Sequence, residues 1–363
     1  FELANNGNTC FPKLELITYT EKLLDISEDI IKEAITSLQK QKRIFLTTLP
    51  YDHEEISFVW LIATYYAEQS ITNELARIAK NPAFMRSLDT KKAVIWVEDK
   101  LNMELASEQK KAIEEGTKEK IHIITGGPGT GKTTIIAAVL KIYKKLHVKI
   151  LLTAPTGRAA KQMSETTGFE AKTIHRMLSF NFHSGGFQKN EKDPLDCDLL
   201  IVDEASMIDT VLMHHFLKAV PQQATLILVG DVNQLPSVGA GNILGDIIAS
   251  RVVPVVRLNE IFRQAQESRI IVNAHRIKNG FLPKTDIEND EETDFYFINQ
   301  EPPERVLEII LELAANRIPK KFGFDAINDI QVLSPMHKGL VGTANLTKER
   351  QKRLNPQKDN IVY

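Results

Sequence analysis

The sequence predicts an α/β protein built on a doubly wound parallel sheet, preceded by a mainly helical, winged-helix-like module. Three observations lead there. Short apolar runs at 121–125, 149–153, 199–202 and 225–229 are bounded by Gly, Pro or Asp and separated by helical or loop sequence. That is the pattern of parallel strands covered on both faces. A glycine-rich phosphate-binding pattern joins the first run to the helix that follows it. Before about residue 100 the texture differs, with helical periods in place of strand–helix alternation.

In chain order, a short helix is expected over 14–24. A second follows, in which Ile30, Ile31, Ala34, Ile35 and Leu38 recur at helical spacing behind Ser27, a capping residue with Glu28 and Asp29 in the first turn. Residues 43–47 and 56–60 read as two short strands, and a helix runs to about Ile78. Helix, helix and a two-strand wing make a winged-helix-like module. Such modules serve as DNA contacts or as protein scaffolds, and the residues leave both open. Between Ser179 and Asp196 the flanks of Gly185-Gly186 are expected to pair as a hairpin. The acidic run 286–294 reads as a solvated loop.

Composition sets bounds on function. The 363 residues suffice for two or three domains, and 43% hydrophobic with 25% charged residues excludes bulk disorder. Lys and Arg number 45 against 47 Asp and Glu, a net charge of -2, which excludes a nucleic-acid binder held by overall charge. Nucleic acid would need a local basic groove. Cys10 and Cys197 give neither a disulfide framework nor metal spacing, and are expected to be reduced thiols in a cytoplasmic protein. No run approaches the roughly 18 consecutive apolar residues of a membrane span. No signal peptide is read at the start, so no membrane partner is expected.

Gly126-Gly127-Pro128-Gly129-Thr130-Gly131-Lys132-Thr133 fits the P-loop pattern G-x-x-x-x-G-K-[ST]. It follows a strand and opens a helix, as its mechanism requires. Gly127, Gly129, Thr130 and Gly131 let backbone N–H groups curl round phosphate oxygens, and the helix N-terminus adds partial positive charge. Lys132 is placed to reach the β- and γ-phosphates of a nucleoside triphosphate, and Thr133 to offer a hydroxyl to Mg²⁺. The run 199–202 then ends in Asp203-Glu204, paired carboxylates at the carboxyl edge of a sheet. Asp203 is expected to hold Mg²⁺, and Glu204 to orient and deprotonate the attacking water. A third strand ends before Gln234, a candidate γ-phosphate sensor. Arg263 reads either as a guanidinium for the transferred phosphoryl group or as a surface salt bridge.

The order and wording of these motifs resemble the RecD-like DNA helicases of superfamily 1. The likeness rests on Leu105-Ala106-Ser107-Glu108-Gln109, the P-loop through Thr134, Thr153-Ala154-Pro155-Thr156-Gly157-Arg158, and Thr173-Ile174-His175-Arg176. It continues through Val202-Asp203-Glu204-Ala205-Ser206-Met207, Gln234-Leu235-Pro236-Ser237-Val238-Gly239 and Ile261-Phe262-Arg263-Gln264. It covers about residues 100–350. The resemblance implies that Gln109 reads the adenine edge and that Thr134 joins the ATP phosphate contacts. It also implies that Gln234 and Arg263 couple the γ-phosphate to movement, and that Thr153, Thr156, Arg158, Thr173 and His175 track DNA. Phe187 in the hairpin would be either a duplex-splitting wedge or a hydrophobic anchor. The implied activity is ATP-dependent 5′→3′ translocation on single-stranded DNA and unwinding at ssDNA/dsDNA junctions, in repair or recombination. A conjugative relaxase-type helicase domain and an ATP-gated DNA-binding subunit of a larger complex stand as alternatives.

The resemblance also implies a layout of 1–100 for the N-terminal module, 101–325 for a RecA-like domain 1A with a 1B hairpin at about 179–196, and 326–363 for the start of a second RecA-like domain. The chain starts at Phe1 and stops in Asn360-Ile361-Val362-Tyr363, which reads like the start of a strand, so a fragment of a longer protein is expected. The later helicase motifs are not in it. The chain is therefore expected to bind ATP and to lack full activity. In a forked-duplex assay it should leave the strands paired; strand separation by the chain alone would contradict this.

Overall fold

The computed structural model describes residues 2–51, 53–81, 88–181, 183, 185–260, 267–285 and 293–355. The chain forms two compact units, Phe1–Lys284 and Thr285–Tyr363.

The first unit opens with α1 (Glu2–Asn5), β1 (Cys10–Pro12), α2 (Lys13–Leu24) and α3 (Glu28–Lys40). Then come β2 (Ile44–Tyr51), β3 (Glu54–Leu61) and α4 (Ile62–Ala79). The three strands pair antiparallel in the order β1-β3-β2. Ile31 and Ile35 bury one stripe of α3 against Ile17, Ile44 and Val59. Ser27 occupies the N-cap of α3 without a side-chain bond, so Glu28 and Asp29 complement the helix dipole there. Arg77 of α4 donates from Nη2 to the carbonyls of Leu217 and Val220, at 3.2 and 2.8 Å. With Ile71 and Ile78 in the core of the large sheet, this joins the N-terminal elements and that sheet in one unit.

Next come α5 (Thr90–Leu101), α6 (Ser107–Lys118), β4 (Ile121–Gly126), α7 (Lys132–Lys145), β5 (Ile150–Ala154), α8 (Gly157–Thr167), β6 (Ala171–Thr173) and α9 (Ile174–Met177). The short pair β7 (Phe180–Asn181) and β8 (Gly186–Phe187) precedes β9 (Leu199–Val202), α10 (Thr210–Ala219), β10 (Thr225–Gly230), α11 (Ile243–Ser250), β11 (Val255–Leu258) and α12 (Arg269–Lys278). Six strands form a parallel sheet in the order β11-β4-β10-β9-β5-β6. Every residue of β4, β9 and β10 is buried. Alternation sends Ile123, Leu200, Val202, Leu226 and Leu228 to the face covered by α4, α10 and α11. Ile124, Leu199, Ile201, Ile227 and Val229 go to the face covered by α5, α6 and α7. That two-sided burial is why these strands read as continuous apolar runs.

The second unit contains α13 (Pro303–Glu312), a π-helical stretch Leu313–Arg317, α14 (Ile318–Phe322) and α15 (Thr343–Leu354). Arg350 of α15 donates to the carbonyls of Ala326 and Ile330. Residues 330–334 form no strand. A parallel strand needs a neighbour to pair with, and the described residues of this unit offer none. Among the described residues no helix is long and apolar enough to cross a membrane.

One glycine fixes where the site's loops can run. A Cβ on Gly230 would lie 2.8 Å from Leu244 Cδ2, 3.1 Å from Ser206 N and 3.3 Å from Ala205 N, so the end of β10 lets the turn after β9 approach to backbone distance. Gly116 in α6 is the opposite case, with Ile227 Cδ1 at 3.5 Å and His122 Cδ2 at 3.6 Å, ordinary contact distances. Gly116→Ala should stabilise the chain by about 0.5–1 kcal/mol, since alanine loses less entropy in a helix. Gly230→Ala should destabilise it by about 1–3 kcal/mol through overpacking. Thermal unfolding of the two variants checks both signs.

Candidate functional site

Because all six strands are parallel, their carboxyl ends share one edge of the sheet, where ligands of such folds bind. β10 lies between β4 and β9. The loop after β10 therefore starts between the P-loop, which leaves β4, and the carboxylates that follow β9.

The P-loop turns on two glycines in the left-handed region, Gly129 at φ 74° and Gly131 at φ 81°, and Gly131 caps α7. Four of its carbonyls find a donor. Lys132 Nζ donates to Gly126 O at 2.7 Å and to Gly127 O at 3.0 Å. Thr130 Oγ1, on a residue only 1% exposed, donates to Gly127 O at 2.8 Å. Gln109 Nε2 donates to Thr130 O at 3.3 Å, and His275 Nε2 lies 3.2 Å from Pro128 O. Thr133 is exposed and Thr134 partly so, in the first turn of α7.

Gln109 is buried, and its Oε1 accepts from Ala106 N at 3.1 Å. Both ends of its amide are thus engaged by backbone, one of them belonging to the P-loop. Next to it, Glu108 accepts from Asn259 N at 2.6 Å and from Asn259 Nδ2 at 3.1 Å, tying the start of α6 to the residue after β11. Arg263 lies outside the described residues.

Asp203 Oδ1 accepts from Glu204 N at 2.9 Å, and Asp203 N donates to Thr153 O at 2.9 Å. Glu204 sits at φ 52°, a left-handed conformation costly for a side chain with a Cβ, and its Oε2 is buried without a hydrogen-bond partner. Burial pushes both carboxyl groups above their ordinary range. Asp203 raises Glu204 further, while Lys132 pulls both back. Gln234 is exposed, its backbone N–H held by Asp231 O at 3.1 Å. Among the described residues no group of three or more His, Cys, Asp or Glu is set to hold a metal. Thr133 and Asp203 are two oxygen donors, which suits Mg²⁺ sharing its remaining positions with phosphate and water. The glycine cradle, the lysine and the unpartnered acceptor of Glu204 fit a bound nucleoside triphosphate with that ion.

The residues expected to track DNA lie toward the β5–β6 end of the same edge, and the structure separates them. Thr153 needs correction: it is fully buried, and Oγ1 donates to Lys172 O at 2.8 Å, so that hydroxyl cannot meet a strand. Thr156 and Thr173 cap α8 and α9, accepting from Ala159 N and Arg176 N at 3.2 Å each. Arg158 and His175 are exposed. Phe187 is partly buried, with ring centroids 5.0 Å from Phe180, 5.5 Å from His175 and 4.9 Å from His215.

Sequence reading missed Glu108 as a tether and His275 altogether. His275 meets the P-loop across 147 residues of sequence, and no local spacing signals such a contact.

A family model described as an AAA domain matches residues 109–240. An ATP-dependent RecD2 DNA helicase of Deinococcus radiodurans is 35% identical over 258 residues, covering 71% of this chain and 34% of that protein. The RecBCD enzyme subunit RecD of Haemophilus influenzae is 38% identical over 165 residues, covering 38% of this chain and 26% of that one. The chain thus spans about a third or less of the length of these relatives. The crystal structure of Pif1 helicase from Candida albicans aligns with 61% of this chain and 55% of its own, at a TM-score of 0.39 and 20% identity, which adds nothing to the fold described above.

The Glu204 geometry makes a prediction about stability. A carboxyl whose folded pKa lies above its unfolded one contributes stability at low pH that is lost as pH rises through the folded value. At pH 8 the fold therefore carries the cost of a buried charge. Glu204→Gln should raise the melting temperature there by roughly 2–4 °C, for about 1 kcal/mol. The gain should shrink as pH falls and wild-type Glu204 takes up its own proton. Paired melting curves at pH 8 and pH 5 test the sign; a lower melting temperature at pH 8 would contradict it.

Proposed function

We propose that this chain, a RecD-like superfamily 1 helicase sequence in its motifs and its relatives, is the ATP-hydrolysing part of a DNA helicase that moves 5′→3′ on single-stranded DNA and opens ssDNA/dsDNA junctions. One observation carries the reading. Parallel strands β4, β10 and β9 put a P-loop lysine, an exposed glutamine and two desolvated carboxylates on one edge, with exposed Arg158 and His175 farther along it.

In this reading, Lys132 leaves the Gly126 and Gly127 carbonyls for the β- and γ-phosphates of ATP. N–H groups of Gly127, Gly129, Gly131 and Thr134 surround the phosphates, and Gln109, buried with both ends of its amide held by backbone, braces the loop instead of reading the base. Thr133 and Asp203 hold Mg²⁺, which when bound neutralises phosphate charge. Glu204 takes a proton from the attacking water as the water oxygen bonds to the γ-phosphorus and the bond to the ADP oxygen breaks. Burial suits Glu204 to this, because a raised pKa makes a carboxylate a stronger base near neutral pH. Gln234 contacts the γ-phosphate from the β10 loop, and Arg263 supplies a guanidinium. Thr156, Arg158, Thr173 and His175 meet the DNA backbone, where phosphate contacts position the strand without reading its sequence. Phe187 serves this surface by holding the hairpin.

The test is ATP turnover with and without single-stranded DNA. Stimulation by DNA is expected, and Lys132→Ala should lower turnover by about 100-fold or more. Turnover that ignores DNA, or that survives in Lys132→Ala, would refute the reading.

A further inference from the structure

The P-loop carbonyls divide into two sets by what holds them. Gly126 O and part of Gly127 O depend on Lys132, the side chain that a phosphate would draw away. Thr130 O and Pro128 O depend instead on residues from outside the loop, Gln109 of α6 and His275 of α12. Carbonyl oxygens only accept, so the His275 nitrogen facing Pro128 must carry its proton on Nε2. The same ring covers the loop's second glycine. A Cβ on Gly127 would stand 3.0 Å from His275 Cε1 and 3.3 Å from Nε2.

The ring has a fixed base. Two residues earlier on α12, Asn273 is buried, donates from Nδ2 to Lys284 O at 3.0 Å and accepts from Lys284 N at 2.8 Å. Arg276 Nε donates to Leu282 O at 3.0 Å. These bonds lock the return loop onto α12, so His275 is presented to the P-loop by a braced element. Its own side chain is only partly buried, which leaves its contact with the loop as the specific thing it does.

We propose that His275 is a positioning residue for nucleotide binding, clamping the P-loop at Pro128 and Gly127 in the conformation that accepts phosphate. This rests on the nucleotide reading given above and extends it to a residue outside the recognised motifs. When Lys132 turns to a phosphate, the His275 and Gln109 bonds still stop the loop from closing. Without His275, the loop has to be ordered by the ligand, and affinity falls. One hydrogen bond is worth on the order of 1 kcal/mol, so the fall should be about tenfold at most.

The experiment is titration of the full chain with MgADP, alongside melting curves. Binding by wild type that is lost in Lys132→Ala secures the nucleotide reading itself. Against that baseline, His275→Ala should weaken MgADP by about five- to tenfold, with a melting temperature lowered by no more than a few degrees. His275→Gln, whose Nε2 can reach Pro128 O, should recover most of the loss, which a packing role would not allow. Gly127→Ala combined with His275→Ala should be less damaging than the product of the single effects, because the ring that Cβ strikes is gone. Wild-type affinity in His275→Ala, or a glutamine variant as weak as alanine, overturns the clamp and leaves the nucleotide reading standing. No MgADP binding by wild type overturns the nucleotide reading and the clamp with it.

Discussion

Hydrogen bonding of β10 between β4 and β9 is the constraint from which the site follows. Each parallel pairing fixes the height at which a strand ends, and the registers Val229↔Ile124 and Leu228↔Val202 bring three carboxyl ends level. Three loops must then leave a narrow strip of sheet edge side by side. They fit because Gly230 lets the backbone of Ala205 and Ser206 close in, and because Gly126 lies against Leu258 of β11. A side chain at Gly230 would push the turn that carries Glu204 away from β10, and one at Gly126 would strike Thr130 and β11.

Crowding has an electrostatic consequence. Asp203 and Glu204 are two acids partly out of water, with Lys132 as their nearest compensating charge. The left-handed turn at Glu204 and its unpartnered Oε2 add local cost. A fold tolerates such cost where the rest of the sheet over-determines it, and here the two cores on either face do so. Lys132 has a dual position in this balance, hydrogen-bonded to its own loop and facing both acids. Any anion that binds the loop therefore changes the charge felt by the carboxylates as well.

The parts legible in the sequence were those whose signal is local. Buried parallel strands leave apolar runs, and a P-loop must be glycine-rich where φ turns positive, as at Gly129 and Gly131. The Asp203-Glu204 pair is legible for the same reason, sitting directly after a strand. What sequence could not show depends on partners far away in the chain. Thr153 looks like any strand-end hydroxyl until β6 pairs beside it and takes its hydrogen bond. The contact of Phe187 with His215 of α10 is likewise invisible in local sequence. His275 carries no pattern at all, since its meaning comes from α12 folding back on the P-loop.

The central claim is that the edge formed by β4, β10 and β9 is one nucleotide site in which binding and chemistry belong to different side chains. Calorimetric titration of MgATP into Glu204→Gln and Lys132→Ala chains tests it most directly. The account predicts that Glu204→Gln binds MgATP at least as tightly as MgADP binds wild type, and that Lys132→Ala loses binding. Equal MgATP affinity in the two variants would contradict it.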